Sequence, residues 1–412
     1  MIILCELEAD GMVHSPVNIG LIRTICRAFP DETVLLFASA SHLEATAGQI
    51  PPSEVPNLRP QAIRIPAMDA GPWRRFLPDI RHLGAWLAQV GDDEDCLLVL
   101  LSANTSSMFA VALLLALSRR RRLGVHLTLH SDLAQVAGWR SANPLIRWQD
   151  YVSALLACRR DRARYLVLEP AVGDELEQAL PALAGRVDAL PHPVDPAEAD
   201  RAGETRPPPP VRIGFLGLAT RQKGIDLFLQ LARTCKDRLD GGVAFHIVGR
   251  LADKVGEADL SGLASPPSSD RLDREDYLRG LTALHYICLP YQGRQYRFSA
   301  SGVLLDAVAW RKPVIALRVP IVEDLFRHYG DIGYLCDDVD EMFDAVTSIE
   351  RSFDPDRYDR QVTALTAIRD ARLPRSLAAR YRDVVGAGFP GLLAGGRMAG
   401  RGAEPDPQAQ GR

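Results

Sequence analysis

The chain has 412 residues, which is too long for one ordinary domain and predicts two domains of about 200 residues each. A hydrophobic content of 47% with 24% charged residues is typical of a globular protein that buries a sizeable core. The net charge of −4 excludes a strongly basic protein and gives no reason to expect a nucleic acid partner.

Cysteine usage and the most apolar segments bear on the compartment. Seven cysteines are scattered without a CxxC pair, so we expect buried thiols in a reducing compartment. The N-terminal segment Met1–Cys5 lacks the basic region and the length of a signal peptide, and it is predicted to be a strand. Polar residues interrupt the apolar stretch Leu97–Leu117, which predicts strand, loop and helix rather than a membrane span. These features predict a cytoplasmic protein.

Short apolar runs alternate with amphipathic segments throughout the first half of the chain. Continuous apolar strands separated by helices predict a parallel, doubly wound α/β sheet. The predicted strands are Ile2–Glu6, Thr33–Ala38, Ala62–Pro66, Cys96–Leu101, Val125–His130, Tyr165–Leu168 and Val187–Leu190. The predicted helices include Val17–Ala28 and Met108–Arg119.

A polar segment that ends in four prolines, residues 196–210, cannot contribute to a core. It is predicted to link a first domain, residues 1–195, to a second domain, residues 211–385. The second domain repeats the alternation, with strands predicted at Val211–Leu216, Val243–Val248, Tyr286–Pro290, Pro313–Leu317 and Tyr334–Cys336. Its helices are predicted at Gly224–Asp237, Arg274–Ala283, Val303–Ala309 and Asp340–Arg351, with one or two more over Asp354–Val385. Residues 386–412 show no periodicity and are predicted to be disordered. Two Rossmann-like domains that face each other across a cleft are the predicted architecture.

The first strand of the second domain ends in a flexible, cationic turn. The stretch GFLGLATRQKG places Gly217 at the strand end and Arg221 and Lys223 just before the next helix. Two cations beside free helix amides suit a diphosphate, whereas the alternative is a loop of solvated charges. The GxGxxG pattern of dinucleotide-binding dehydrogenases is absent from this turn.

Two further strand ends in this domain carry polar residues. In FHIVGR a glycine permits close backbone approach and Arg250 lies at the tip of the strand. In SASGVLLDA, Ser301 and Gly302 precede a helix, so their amides can point at phosphate, and Asp306 can accept hydrogen bonds from a ribose. Alternatively, Asp306 is a paired structural acid.

The order and spacing of these segments resemble the C-terminal domain of GT-B-fold glycosyltransferases, closest to glycosyltransferase family 4. The segments that carry the resemblance are Lys223-Gly224, Val248-Gly249, Leu289-Pro290-Tyr291, Asp306-Ala307 and Arg311–Ala316, within residues 211–345. The resemblance implies that Lys223 and Arg221 neutralise the diphosphate of a nucleotide-sugar donor as the sugar departs. It also implies that Asp306 binds ribose and that the amides of Ser301, Gly302 and Val303 contact phosphate. Gly217 and Arg250 are further donor-binding candidates.

One family residue is replaced in this chain. The family carries a glutamate eight residues before its second acid, where it usually faces the donor sugar, and this chain has Phe298 there and Asp306 at the second position. Phe298 cannot accept a hydrogen bond from a sugar hydroxyl. The substitution leaves three hypotheses open: an altered glycosyltransferase, a nucleotide-sugar epimerase on the same fold, and a non-catalytic binding protein.

The first domain is predicted to supply the acceptor site. The loop ELEADGMVHSPVN after the first strand contains Asp10, Gly11 and His14 as candidates for acceptor contacts, with helix capping as the alternative for Asp10. His130 ends an apolar strand and resembles the histidine of the family's T-x-H segment, which reaches the donor sugar or acceptor. The resemblance implies transfer with retention, no cofactor and no metal, to a glycan or lipid-linked acceptor in surface polysaccharide or glycolipid synthesis. An inverting enzyme would need a general base, for which Asp10 or Asp132 could serve.

Two charged runs complete the sequence features. The acidic run Asp92–Asp95 precedes a strand rather than following one, and it is predicted to be a solvated turn rather than a metal loop. Arg119, Arg120, Arg121 and Arg122 follow an apolar helix. They could hold an anionic membrane surface at the inner face of a membrane, or they could be a solvated helix terminus where cations are favoured.

Overall fold

The computed structural model describes residues 1–67, 69–118, 120, 122–130, 133–137, 143, 150–158, 162–195, 209–255, 258–291, 294–298 and 301–393. Within them the chain forms two parallel sheets, each covered by helices on both faces. The predicted α/β fold with two Rossmann-like sheets is therefore confirmed.

The first sheet has seven strands in the order β3-β2-β1-β4-β5-β6-β7. The strands are β1 (Ile2–Cys5), β2 (Val34–Ala38), β3 (Leu58–Ala62), β4 (Cys96–Leu100), β5 (Leu123–Leu129), β6 (Ala163–Val167) and β7 (Val187–Ala189). Its helices are α1 (Ser15–Ala28), α2 (Ala40–Ala45), α3 (Pro72–Leu87), α4 (Thr105–Leu117), α5 (Tyr151–Ala157) and α6 (Pro170–Ala179). Along β1, Ile3 and Cys5 enter one core layer and Ile2 and Leu4 the other, because successive side chains of a strand point to opposite faces.

The second sheet has five strands in the order β12-β11-β10-β8-β9. The strands are β8 (Val211–Leu216), β9 (Val243–Val248), β10 (Tyr286–Leu289), β11 (Val314–Leu317) and β12 (Gly333–Cys336). Its helices are α7 (Ile225–Arg238), α8 (Arg274–Ala283), α9 (Gly302–Ala309), α10 (Pro320–Tyr329), α11 (Val339–Arg351) and α12 (Pro355–Ala371). A last helix, α13 (Pro374–Gly388), follows Arg372 and Leu373.

One predicted strand is misplaced. The prediction put the third strand at Ala62–Pro66, whereas β3 occupies Leu58–Ala62 and pairs only with β2. An edge strand has one neighbour and four of its five residues are exposed, so it needs little of the apolar content on which the prediction rested.

The C-terminal helix corrects the expected domain boundary. Helix α13 lies in the range assigned to the second domain, but Leu377, Tyr381 and Val385 are buried in the core of the first domain. The Tyr381 hydroxyl lies 3.1 Å from His126 Nδ1 of β5. Part of the predicted disordered tail is also ordered, since α13 continues to Gly388 and Phe389 is buried against the same core. Residues 394–412 lie outside the described part of the chain.

Candidate active site

Both sheets have a point at which the strand order reverses, and ligands of open α/β sheets bind beyond the strand ends at such points. In the first sheet the reversal lies between β1 and β4, and in the second it lies between β8 and β10. The loops that leave these four strands contain residues 6–14, 101–104 and 217–224 and the described residues within 290–301. Most of the predicted site residues lie in or beside these loops.

A cavity of about 410 Å³ lies between the two domains. The first domain contributes the start of α1, at Pro16 and Val17, and residues 192–195 beyond β7. The second domain contributes the larger wall, which includes Lys223, Asp306 and the first turn of α9. The cavity is therefore built from the strand ends of both sheets.

Lys223 reaches this cavity because two glycines let its loop fold tightly. Gly224 has φ +81°, and a Cβ there would lie 1.8 Å from the Pro290 carbonyl oxygen. Gly217 has φ +77°, and a Cβ added there would lie 3.6 Å from Lys223 Nζ. Burial lowers the pKa of Lys223, although Asp306 opposes that shift. No residue in the described part of the chain accepts a hydrogen bond from Lys223 Nζ, so this half-buried cation can bind an anion from the cavity.

The N-terminus of α9 forms the next part of the wall. Ser301 caps the helix by accepting a hydrogen bond from Leu304 N at 3.2 Å. Its hydroxyl also contacts the Tyr291 hydroxyl, and the Tyr291 and Tyr296 rings stack with centroids 4.0 Å apart. The amides of Gly302 and Val303 have no acceptor among the described residues and lie at the positive end of the helix dipole.

Asp306 completes this wall. Its Oδ2 accepts a hydrogen bond from the Tyr277 hydroxyl of α8. Burial raises the pKa of Asp306, whereas the Tyr277 hydrogen bond and the nearby charges of Arg274 and Lys223 lower it. Asp306 lines the cavity, where a hydroxyl of a bound ligand could donate to its carboxylate.

Arg221 and Arg250 do not reach the cavity, contrary to the prediction. The Arg221 side chain is 67% exposed, its Nε lies 3.4 Å from Asp226 Oδ2, and its Nη2 donates to the Val255 carbonyl at 3.3 Å. Arg250 pairs with Asp253 at 3.2 Å beyond the end of β9. Each of these arginines pairs with a local acid instead of lining the cavity.

Phe298 is not a donor contact in this structure. Its side chain is 4% exposed and packs in the core of the first domain, although the residue belongs to a loop of the second. The adjacent Arg297 pairs across the same boundary with Glu175 of α6 at 2.5 Å. An aromatic side chain is more stable in this apolar layer than in a polar sugar site.

A buried carboxylate that no sequence pattern signals, Glu6, organises the first-domain loops. Glu6 is fully buried at the end of β1, and its Oε1 accepts from the amides of Glu8 at 2.9 Å and Ala9 at 3.0 Å. Its Oε2 accepts from Asn18 Nδ2 at 2.9 Å and Ser102 Oγ at 2.6 Å. Four donors thus satisfy one buried acid and fix the loop after β1 against the loop after β4.

His130 is held in one tautomer by this arrangement. Its Nε2 lies 3.2 Å from the Leu101 carbonyl, which can only accept, and 3.0 Å from Ser102 Oγ, whose proton goes to Glu6. Nε2 therefore carries the hydrogen, and Nδ1 is the acceptor in the neutral ring. Burial, with His14 and His192 nearby, lowers the pKa of His130 to about 3, so the ring is neutral at physiological pH.

The remaining acceptor candidates lie around this histidine rather than in the cavity wall. The ring of His14, a residue with φ 57°, is 4.4 Å from the ring of His130. Asp10 accepts from Ser39 Oγ at 2.5 Å and also contacts the Ser41 hydroxyl, and these bonds lower its pKa. The Gly11 carbonyl lies 2.9 Å from His42 Nδ1. Asp132 lies outside the described residues.

Two cavity residues were not donor-site candidates in the sequence: Arg274 and His192. Burial lowers the pKa of His192 to about 4. Arg274 begins a helix far along the chain from Lys223, and no local pattern signals where its side chain points. His192 lies in the segment LPHPVD beyond the end of the first sheet, and no local pattern signals that it lines a cavity.

The acidic run and the arginine run form ion pairs with each other where the structure describes them. Arg120 pairs with Asp92 at 3.1 Å and Arg122 with Asp95 at 2.6 Å, so the acidic turn before β4 is paired with arginines. Arg119 and Arg121 lie outside the described residues. The described residues contain no cluster of three or more His, Cys, Asp or Glu side chains arranged to hold a metal ion. Among them, no helix has both the length and the apolar character needed to cross a membrane.

Two Rossmann-like domains with a polar cavity at their facing strand ends define the GT-B class of fold, and solved structures share it. A glycosyltransferase from Rickettsia africae aligns with a TM-score of 0.64 at 13% identity, covering 95% of this chain and 99% of its own. Anabaena HepE in complex with UDP aligns with a TM-score of 0.59 at 13% identity, covering 94% and 99%. HepE in complex with UDP and glucose gives 0.57 at 13% identity, covering 92% and 97%. The sequence matches no curated protein.

A family assignment follows for the second domain. Residues 210–351, from β8 to the end of α11, match the family described as glycosyl transferases group 1. The match covers about a third of the chain and includes Lys223, Asp306 and the start of α9. The resemblance to the group 1 glycosyl transferases that the motifs of the second domain indicate is therefore confirmed.

Proposed function

We propose that this protein is a glycosyltransferase that moves a sugar from a nucleoside diphosphate to a glycan or lipid-linked acceptor. The cavity between the domains carries the proposal. There the unpartnered Nζ of Lys223 and the amides of Gly302 and Val303 line one wall with the carboxylate of Asp306. A cation, helix amides and a hydroxyl acceptor match a diphosphate and a ribose.

In this proposal the second domain supports departure of the sugar. Negative charge grows on the diphosphate as the bond to the sugar breaks, and Lys223 and the α9 dipole stabilise that charge. Asp306 orients the nucleotide by accepting a hydrogen bond from the ribose. The acceptor enters from the first domain, where the neutral His130 can accept a hydrogen bond at Nδ1. Transfer with retention, independence from metal and a role in surface polysaccharide or glycolipid synthesis are the finer parts of the proposal.

The substitution at position 298 does not argue against activity. Phe298 packs in the core of the first domain rather than facing the cavity. At this position the loop therefore contacts the first domain, and the substitution does not remove a residue from the cavity wall. An epimerase would interconvert donor sugars without an acceptor, and a binding protein would hold nucleotide without turnover. Assays with several donors separate these alternatives.

The first experiment is a thermal-shift and calorimetric screen with UDP, GDP, ADP and dTDP. UDP leads the panel because Anabaena HepE binds it. We expect one nucleotide to bind wild type and Lys223→Ala to weaken that binding roughly tenfold or more, about 1.4 kcal/mol. Binding of no nucleotide by wild type, or equal affinity in wild type and Lys223→Ala, would overturn the proposal.

A membrane location is a further part of the proposal. The run Arg119–Arg122 follows the apolar helix α4, whose Leu113 and Leu117 are exposed. A cationic segment beside exposed leucines suits the anionic inner face of a membrane in a cytoplasmic protein. Sedimentation with vesicles of anionic and of zwitterionic lipid tests it. Equal binding to both, or to neither, would remove this part.

A further inference from the structure

The cavity contains a second cation besides Lys223, and it is Arg274 rather than Arg221. Arg274 is the first residue of α8 and lines the same cavity as Lys223 and Asp306. Arg221 is two residues from Lys223 in sequence, but its side chain is largely exposed and pairs with Asp226. The cation nearest in sequence is therefore not the one that shares the cavity.

The position of Arg274 is supported by its own helix. Its guanidinium carbon lies 5.3 Å from the centroid of the Tyr277 ring, one helical turn away. The Tyr277 hydroxyl in turn donates to Asp306. Asp273 caps the helix by accepting from Asp276 N at 2.8 Å, which sets where the first residue of α8 begins. An arginine stacked on a ring that is itself hydrogen-bonded loses less freedom on binding a ligand than a solvated side chain does.

Lys223 and Arg274 line the same cavity, and both lie close enough to Asp306 to affect its charge. The charges of Arg274 and Lys223 both lower the pKa of Asp306, against the effect of burial. Asp195 also lines the cavity, but its carboxylate lies 3.0 Å from Arg23, so Asp306 is the carboxylate that lies close to both Lys223 and Arg274. Two cations beside the amides of a helix N-terminus suit a ligand with more than one negative charge.

We propose that Arg274 is the second cation for the donor diphosphate, working with Lys223 in place of Arg221. Lys223 supplies a point charge, whereas the planar guanidinium of Arg274 can donate two parallel hydrogen bonds to phosphate oxygens. This inference rests on the proposed function, since it assigns a residue to the diphosphate of the same donor.

The test compares two matched substitutions, Arg274→Gln and Arg221→Gln. Each variant and wild type are titrated calorimetrically with UDP, GDP, ADP and dTDP and with the corresponding nucleosides. For the nucleotide that wild type binds, we expect Arg274→Gln to weaken affinity roughly tenfold or more and Arg221→Gln to stay within about twofold. Nucleoside affinity is expected to change little in either variant, because nucleosides lack the phosphates. Arg274→Lys is expected to restore part of the loss.

The outcomes separate this inference from the proposed function. If wild type binds a nucleoside diphosphate and Lys223→Ala loses it while Arg274→Gln does not, the proposed function stands and the role of Arg274 is wrong. Equal loss in Arg221→Gln and Arg274→Gln would also overturn it, as would a loss in Arg274→Gln of the same size for nucleoside and diphosphate. Failure of wild type to bind any of the four overturns both. Melting temperatures within the error of wild type establish that the variants are folded, and Arg274→Lys keeps the test valid if Arg274→Gln is not.

Discussion

Lys223 shows how burial and charge oppose each other at a single residue. It is half-buried beside the cavity, with Asp306 as a nearby opposite charge, and burial dominates because its pKa is lowered. Loss of hydration disfavours the ammonium, whereas a bound diphosphate favours it. Burial thus disfavours the charged form of Lys223 when no diphosphate is bound, and a bound diphosphate stabilises that form.

The lowered pKa of Lys223 predicts how nucleotide affinity depends on pH. The charged form binds a diphosphate, so affinity is retained below the pKa of Lys223 and falls as pH rises through it. Because burial lowers that pKa, the fall begins at a lower pH than for an exposed lysine. Calorimetry from about pH 7 to about pH 10 measures it. At a pH near that pKa, binding is accompanied by proton uptake.

Lys223→Arg is the control for this prediction, because a guanidinium stays charged throughout this range. We expect its affinity to be flat where that of wild type declines. A parallel decline in both proteins would assign the titration to another group.

The loop that carries Tyr296, Arg297 and Phe298 shows how one short element serves both domains. Tyr296 stacks on Tyr291 in the cavity wall, whereas Phe298 is buried in the core of the first domain. Arg297 pairs with Glu175 of the first domain. The element thus joins the domains at the edge of the candidate site.

This packing predicts the effect of restoring a glutamate at position 298. Phe298→Glu removes a buried ring and places a carboxylate in an apolar layer, so we expect destabilisation of about 3–5 kcal/mol or more. Denaturant unfolding measures it. We expect donor preference to be unchanged in the folded fraction.

Arg297→Gln is the neighbouring control. It removes one partly exposed ion pair, which is worth about 0–1 kcal/mol. A Phe298→Glu variant as stable as wild type, with an altered donor preference, would instead place residue 298 at the sugar.

At the scale of the whole molecule, the chain returns to its first domain after completing the second. Arg372, which follows α12, forms a buried ion pair with Glu169 at the start of α6. Helix α13 then packs along α1, and its Tyr381 is fully buried there. The first domain is therefore complete only when the end of the chain has folded onto it.

Truncation tests this dependence. Ending the chain after Leu373 removes Leu377, Tyr381, Val385 and Phe389 from the first-domain core, each worth about 1.5–3 kcal/mol of burial. We expect loss of soluble protein or a large fall in melting temperature. Ending it after Leu393 keeps these contacts and is expected to leave the melting temperature unchanged. A stable protein ending at Leu373 would show that α13 is dispensable.

The sequence by itself determined the parallel sheets and the group 1 motifs of the second domain. Buried parallel strands must be apolar along their whole length, and a turn such as that at Gly224 admits few other residues, so these features are visible locally. The edge strand β3 was misplaced because an exposed strand carries no such pattern.

Only the tertiary structure decided which side chains share the cavity. In the sequence, Arg221 is the expected second cation because it lies two residues from Lys223, and no local pattern singles out Arg274. The sequence also does not show whether position 298 faces the donor sugar or the first-domain core. In the sequence, nothing distinguishes Glu6 from the other acidic residues of its loop. Arg221 pairs with the nearby Asp226, whereas Phe298 packs in the first-domain core and Glu6 binds Ser102, and both of these partners come from distant segments. A side chain's direction follows from all the elements packed around it, and local sequence contains only one of them.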